Sequence, residues 1–137
     1  MHAHLYDYAV IRVVPRVERE EFVNVGVLLS CPALGFLDAA VAPGPERLRA
    51  LDPTLDLDAL RRHLDAIVAV CRGGPDSGPI GRLPPRARFH SLTARRSAVI
   101  QMSPVHTGQC DADPALTLQR LMQRMVLPPA PTGSDAR

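Results

Sequence analysis

Apolar residues recur at two different periods along this chain, and each change of period marks an element. Residues 5 to 14, LYDYAVIRVV, are rich in β-branched and aromatic side chains on both alternating sides, which predicts a strand covered on both faces and therefore central in its sheet. In residues 22 to 31, FVNVGVLLSC, the odd-numbered Val23, Val25, Val27, Leu29 and Cys31 read as one continuous apolar face, with Phe22, Asn24, Gly26, Leu28 and Ser30 opposite. Pro32 to Gly35 makes a turn, and FLDAAVA, residues 36 to 42, returns as a third strand. These three predict an antiparallel meander.

The period then lengthens. After Asp52-Pro53, an acid and a first-turn proline of the kind that starts a helix, Leu57, Leu60, Leu64, Ile67, Val68 and Cys71 recur at helical spacing. Arg72-Gly73-Gly74 stops that helix. Residues 73 to 88 hold four glycines and four prolines and predict a loop with no regular element. SAVIQMS, residues 97 to 103, reads as a later fourth strand, and residues 111 to 126 as a closing helix with Asp113 as cap, Pro114 in the first turn and Leu118, Leu121, Met122 and Met125 buried. The expected fold is therefore α+β: a mostly antiparallel sheet with two main helices packed on one face, residues 1 to 127 forming one domain and residues 128 to 137 a disordered tail.

Composition narrows the classes. A chain of 137 residues is long enough to bury a core without a metal or disulfide staple. Cys31, Cys71 and Cys110 are odd in number and widely spaced, and His2, His4, His63, His90 and His106 are scattered, so neither a disulfide framework nor a metal site is expected. No stretch approaches the roughly 20 apolar residues of a membrane span, and the opening residues lack a basic leader and cleavage site, which points to the cytoplasm. Dinucleotide, Walker, zinc-protease and nucleophile-elbow patterns are missing, so no cofactor is expected. Net charge is +2, and all sixteen basic residues are arginine. From Ser77 to Cys110 there is no acid, while Arg82, Arg86, Arg88, Arg95 and Arg96 lie there, a candidate anion- or partner-facing surface.

Two short stretches carry candidate chemistry. In Asn24-Val25-Gly26 a glycine interrupts a valine-rich strand, as at a bulge or a close approach of another backbone. In Ser103-Pro104-Val105-His106-Thr107-Gly108, Ser103-Pro104 ends a strand and Thr107-Gly108 turns toward the next helix, which leaves His106 as a candidate catalytic base. If the two stretches meet, Asn24, Gly26, Ser103, His106 and Thr107 would edge a small anion-accepting pocket with Arg95 or Arg96.

YAVIRVVPRVEREEFVNVGVLL and SLTARRSAVIQMSPVHTG, which contain these two stretches, resemble the bacterial family known as domain of unknown function 3037, over roughly residues 5 to 127. The resemblance implies a small, cytoplasmic, stand-alone protein encoded beside a kinase similar to the HipA persistence toxins, and it implies no activity. Three readings follow. The first is an interaction or regulatory module working with a HipA-like kinase. The second is a small phosphoester-acting enzyme using His106 with Arg95 or Arg96. The third is a nucleic-acid-binding domain, against which the sequence sets its scarce aromatics, two Tyr and three Phe.

Overall fold

The computed structural model describes residues 3–94, 99–110 and 113–129. One antiparallel sheet holds β1 (His4–Val13), β2 (Val23–Cys31), β3 (Phe36–Val41), β4 (Ile100–Met102) and β5 (His106–Cys110). Its order is β3, β2, β1, β4, with β5 also paired to β1. The meander and the central place of β1 are as the sequence predicts, and the class is α+β. Five helices are described: α1 (Pro45–Leu51), α2 (Leu57–Arg72), α3 (Gly78–Gly81), α4 (Pro85–Ala94) and α5 (Pro114–Met125).

Both neighbours of β1 carry a bulge. Asp7 through Ile11 face Ser30 through Gly26, but Arg12 faces Asn24, so Val25 is one residue too many for regular pairing. On the other side Ile11 faces Met102 while Tyr8 faces His106, so Ser103, Pro104 and Val105 span the length of Ala9 and Val10. β4 and β5 are therefore one strand interrupted by a bulge. Each extra residue reverses which face the following side chains point to.

This corrects the reading of β2 as a strand with a single apolar face. Val23, Val25 and Leu28 pack with Ile11, Val13, Leu37 and Ala39 under Leu48 of α1, Leu60, Leu64 and Cys71 of α2, and Phe89 and Leu92 of α4. Val27, Leu29 and Cys31 point the other way, into Leu118, Leu121 and Met122 of α5 and the following Val126. The two main helices consequently cover opposite faces of the sheet rather than sharing one, because strands that are apolar on both sides need cover on both.

Two boundaries also move. Asp52 does not start the long helix; it follows α1, and its Oδ1 accepts from the Thr54 backbone N–H at 2.9 Å and hydroxyl at 2.6 Å. The cap of α2 is Asp56, which accepts from Ala59 N–H at 3.0 Å. Residues 73 to 88, read as a structureless loop, contain a 3₁₀ turn at Pro75–Ser77, all of α3 and the start of α4. Their prolines sit where a helix begins and needs no N–H, so here they start structure rather than break it.

No helix among the described residues is long and apolar enough to cross a membrane. The three cysteines are unpaired and buried, and burial pushes the Cys71 thiol up to about 12. The expected tail is outside the described residues from position 130 onward.

Candidate functional site: an open face of the sheet

The bulges account for most of the two singled-out stretches. Ser103 is buried, its N–H donates to Val10 O at 2.9 Å, and its hydroxyl accepts from Val10 N–H at 2.8 Å. The side chain thus takes the place of a ladder carbonyl where the bulge breaks pairing. Gly26 points to the α2 side, where a Cβ would lie 2.6 Å from Ala40 O of the adjacent strand. Asn24 points to the α5 side, and its amide donates to Met125 O at 3.0 Å, closing the last turn of α5.

His106 and Asn24 do not share a pocket. They pair with Tyr8 and Arg12, on opposite sides of β1 and four residues apart along it, which separates them by roughly 16 Å at ordinary strand spacings. Gly26 faces away from both. Thr107 pairs with Asp7 and therefore points to the opposite face from His106. Arg95 and Arg96 lie outside the described residues.

On the α4 side, Arg86 donates to Ser30 Oγ at 3.0 Å and is paired with Asp7 Oδ2, and the Thr107 hydroxyl donates to Asp7 Oδ1 at 2.8 Å. This cluster ties α4 to three strands. Arg88 is likewise turned inward, with Nη1 donating to Leu83 O at 2.9 Å and Gly81 O at 3.3 Å, and Arg82 donates to Pro75 O at 3.2 Å. The described arginines of the acid-free segment thus have partners within the fold.

Burial alone would raise the Asp7 carboxyl, but hydrogen bonds from Arg86 and Thr107 and the nearby positive charge more than offset this and hold it below its ordinary value. Stability from the pair is then fully present above the unfolded aspartate pKa of about 3.9 and is lost as pH falls through the lower folded value. Asp7→Asn should melt below the parent at pH 7, and the two melting curves should converge as pH falls below the unfolded aspartate value of about 3.9 and through the lower folded one. A gap that persists in acid would rule out the carboxylate charge as its source.

The other face is different in kind. α5 lies chiefly over β2 and β3, and its apolar cluster reaches the partly buried Tyr6 and Tyr8 of β1, while His106 beside them is exposed. The β1, β4 and β5 positions of that face are His4, Tyr6, Tyr8, Val10 and Arg12 on β1, Gln101 on β4, and His106, Gly108 and Cys110 on β5. None is a carboxylate, and Val10 is the one aliphatic. Tyr6 and Tyr8 have ring centroids 6.1 Å apart, and the exposed His106 ring lies 5.3 Å from Tyr8. Gly108 leaves space for this row, since a Cβ there would meet the Tyr6 ring at 2.6 Å. The Arg12 guanidinium sits 4.3 Å from the centre of the Phe22 ring and forms no ion pair among the described residues, and Phe22 is 46% exposed. Burial, then the neighbouring Tyr8, raise the Tyr6 phenol while Arg124 of α5 pulls it back, which leaves the ring a neutral surface at physiological pH.

Sequence reasoning singled out His106 but missed Tyr6, Tyr8, Arg12 and Phe22. A signal existed: Tyr6, Tyr8 and Arg12 are all even-numbered positions of one strand and so share a face. Which face would stay open was not visible. Among the described residues no three His, Cys, Asp or Glu side chains gather as a metal-binding set.

No curated protein and no solved structure matches this chain. The family model described as "Protein of unknown function (DUF3037)" matches residues 8–126, a span that takes in the central strand from Tyr8 onward, both bulges and α5. The chain belongs to that family.

Proposed function

We propose that the protein is a binding module whose recognition surface is the open face of β1, β4 and β5. The observation that carries this reading is the gathering there of both tyrosines, His106 and the Arg12–Phe22 pair on a rigid sheet, while the opposite face is occupied by α1, α2 and α4. Tyrosine and arginine are the residue types that dominate binding energy at interfaces, because they present large, stiff surfaces with a polar end. The partner is a HipA-like kinase, as the family resemblance suggests, or a nucleic acid.

Tyr8→Ala and Arg12→Ala tested by isothermal titration against each of these partners should each weaken binding at least tenfold, the usual effect of truncating a central interface residue. Arg82→Ala, on the other side of the molecule, should bind as the parent does. Tyr8 is only partly buried, so its truncation should cost no more than about 2 kcal/mol of stability, and circular dichroism should show an unchanged fold. Binding of a partner that is indifferent to both substitutions would overturn the assignment of this face.

A further inference from the structure

We infer that the open face takes single-stranded nucleic acid, with bases lying on the Tyr6, Tyr8 and His106 rings and phosphates held by Arg12 and Arg124. This step rests on the reading of the face as the binding surface and names its occupant.

The chemistry of the face decides between occupants. Tyrosine and arginine by themselves fit either occupant, since both are enriched in protein interfaces; what a protein interface adds is a predominantly apolar core packed as densely as an interior. Here the strand positions supply one aliphatic residue, the buried Val10, and the remainder are planar rings, imidazoles, a guanidinium, an amide, a glycine and a thiol. Exposed Leu5, which would add to an apolar patch, points to the opposite face because it alternates with His4 and Tyr6. Planar rings on adjacent strands of an open sheet offer π-faces to which any unpaired base is complementary.

Charge favours the same occupant. Among the described residues no β1, β4 or β5 position of this face carries a carboxylate; Arg12 stands at one end of the tyrosine row, and the exposed Arg124 in the last turn of α5 acts on Tyr6 with its positive charge. Arg12 already stacks on Phe22 and its Nε is buried without a hydrogen-bond partner, so phosphate contact falls to its terminal nitrogens. A duplex keeps its bases stacked inside and would present only its backbone, so the rings select for single strands.

The unmodified protein contains its own probe. The chain has no tryptophan and its two tyrosines are Tyr6 and Tyr8, so intrinsic tyrosine emission reports on this face alone. Adding a ten-nucleotide oligothymidine at about 50 mM salt should quench that emission saturably, and the same sequence as a duplex should not. By fluorescence anisotropy with a labelled oligothymidine, Tyr8→Ala should bind at least about tenfold more weakly and Tyr8→Phe nearly as the parent. Arg12→Ala should reduce the slope of log affinity against log salt by about 0.7. Unchanged tyrosine emission with the oligonucleotide overturns the inference. If a HipA-like kinase instead perturbs the tyrosines and loses affinity with Tyr8→Ala, the occupant is a protein and the binding-module reading stands alone. If the kinase and the oligonucleotide both leave the tyrosines unperturbed, that reading falls as well.

Discussion

Gly26→Ala should lower the melting temperature by about 10 °C, the largest effect expected of a single methyl group in this protein. The added Cβ would lie 2.6 Å from Ala40 O, 3.0 Å from Val41 Cγ1 and 3.1 Å from Ile11 Cδ1. The first of these is backbone of the adjacent strand and has no rotamer through which to retreat. Relief requires β2 and β3 to separate, or the bulge at Val25 to shift, and either loosens the core beneath α2. Overpacking of this sort costs about 3 kcal/mol when the obstacle is rigid. Gly35→Ala is the control. Its φ of +61° disfavours any side chain, but nothing lies within 4 Å of a Cβ there, so it should cost only about 1 kcal/mol. Differential scanning calorimetry of the two variants separates steric from conformational cost, and equal losses would show that the close approach at Gly26 relaxes freely.

Ser103→Ala should cost about 2 to 3 kcal/mol, more than the loss of an ordinary surface hydroxyl. The Ser103 hydroxyl accepts the Val10 N–H at 2.8 Å and donates to Pro104 O at 2.9 Å, and both Ser103 and Val10 are buried. Alanine removes the acceptor and leaves a donor of the central strand unpaired away from water. Pro104 removes an N–H from the stretch, so the backbone there has fewer ways to reorganise. Ser103→Thr retains the hydroxyl and should recover much of the loss. Equal urea midpoints for the alanine variant and the parent would place the Val10 N–H in contact with another acceptor.

These two residues show what a structural account does to a suggestive motif. Ser103 and Gly26 are candidate site residues in the sequence because the His106 stretch and the glycine gap together would edge an anion-accepting pocket. Their work is to permit two bulges, one on each flank of β1. The bulges then act on function indirectly. The one at Ser103–Val105 sets which way the following residues point, so that His106 joins Tyr8 while Thr107 joins Asp7 and Arg86.

What the sequence determined by itself is local. Alternation in LYDYAVIRVV placed β1 at the centre, and the leucine spacing in α2 and α5 fixed their buried stripes. Asp113 followed by Pro114 marked the start of α5, where the aspartate accepts from Ala115 N–H at 3.0 Å. Each of these depends on residues within a few positions of one another, where the period of the backbone acts directly on the pattern. α4 escaped because only Phe89 and Leu92 are buried in it and prolines precede it. β5 escaped because HTGQC has no apolar alternation: one of its faces meets the polar Asp7 cluster and the other sets His106, Gly108 and Cys110 beside the tyrosines. The tertiary structure alone decided that Tyr8 and His106, 98 positions apart in sequence, form a ring pair, and that Asn24 and His106 do not meet. Register between distant strands fixes such contacts, and here two single-residue bulges set that register, each reversing the face of every side chain beyond it.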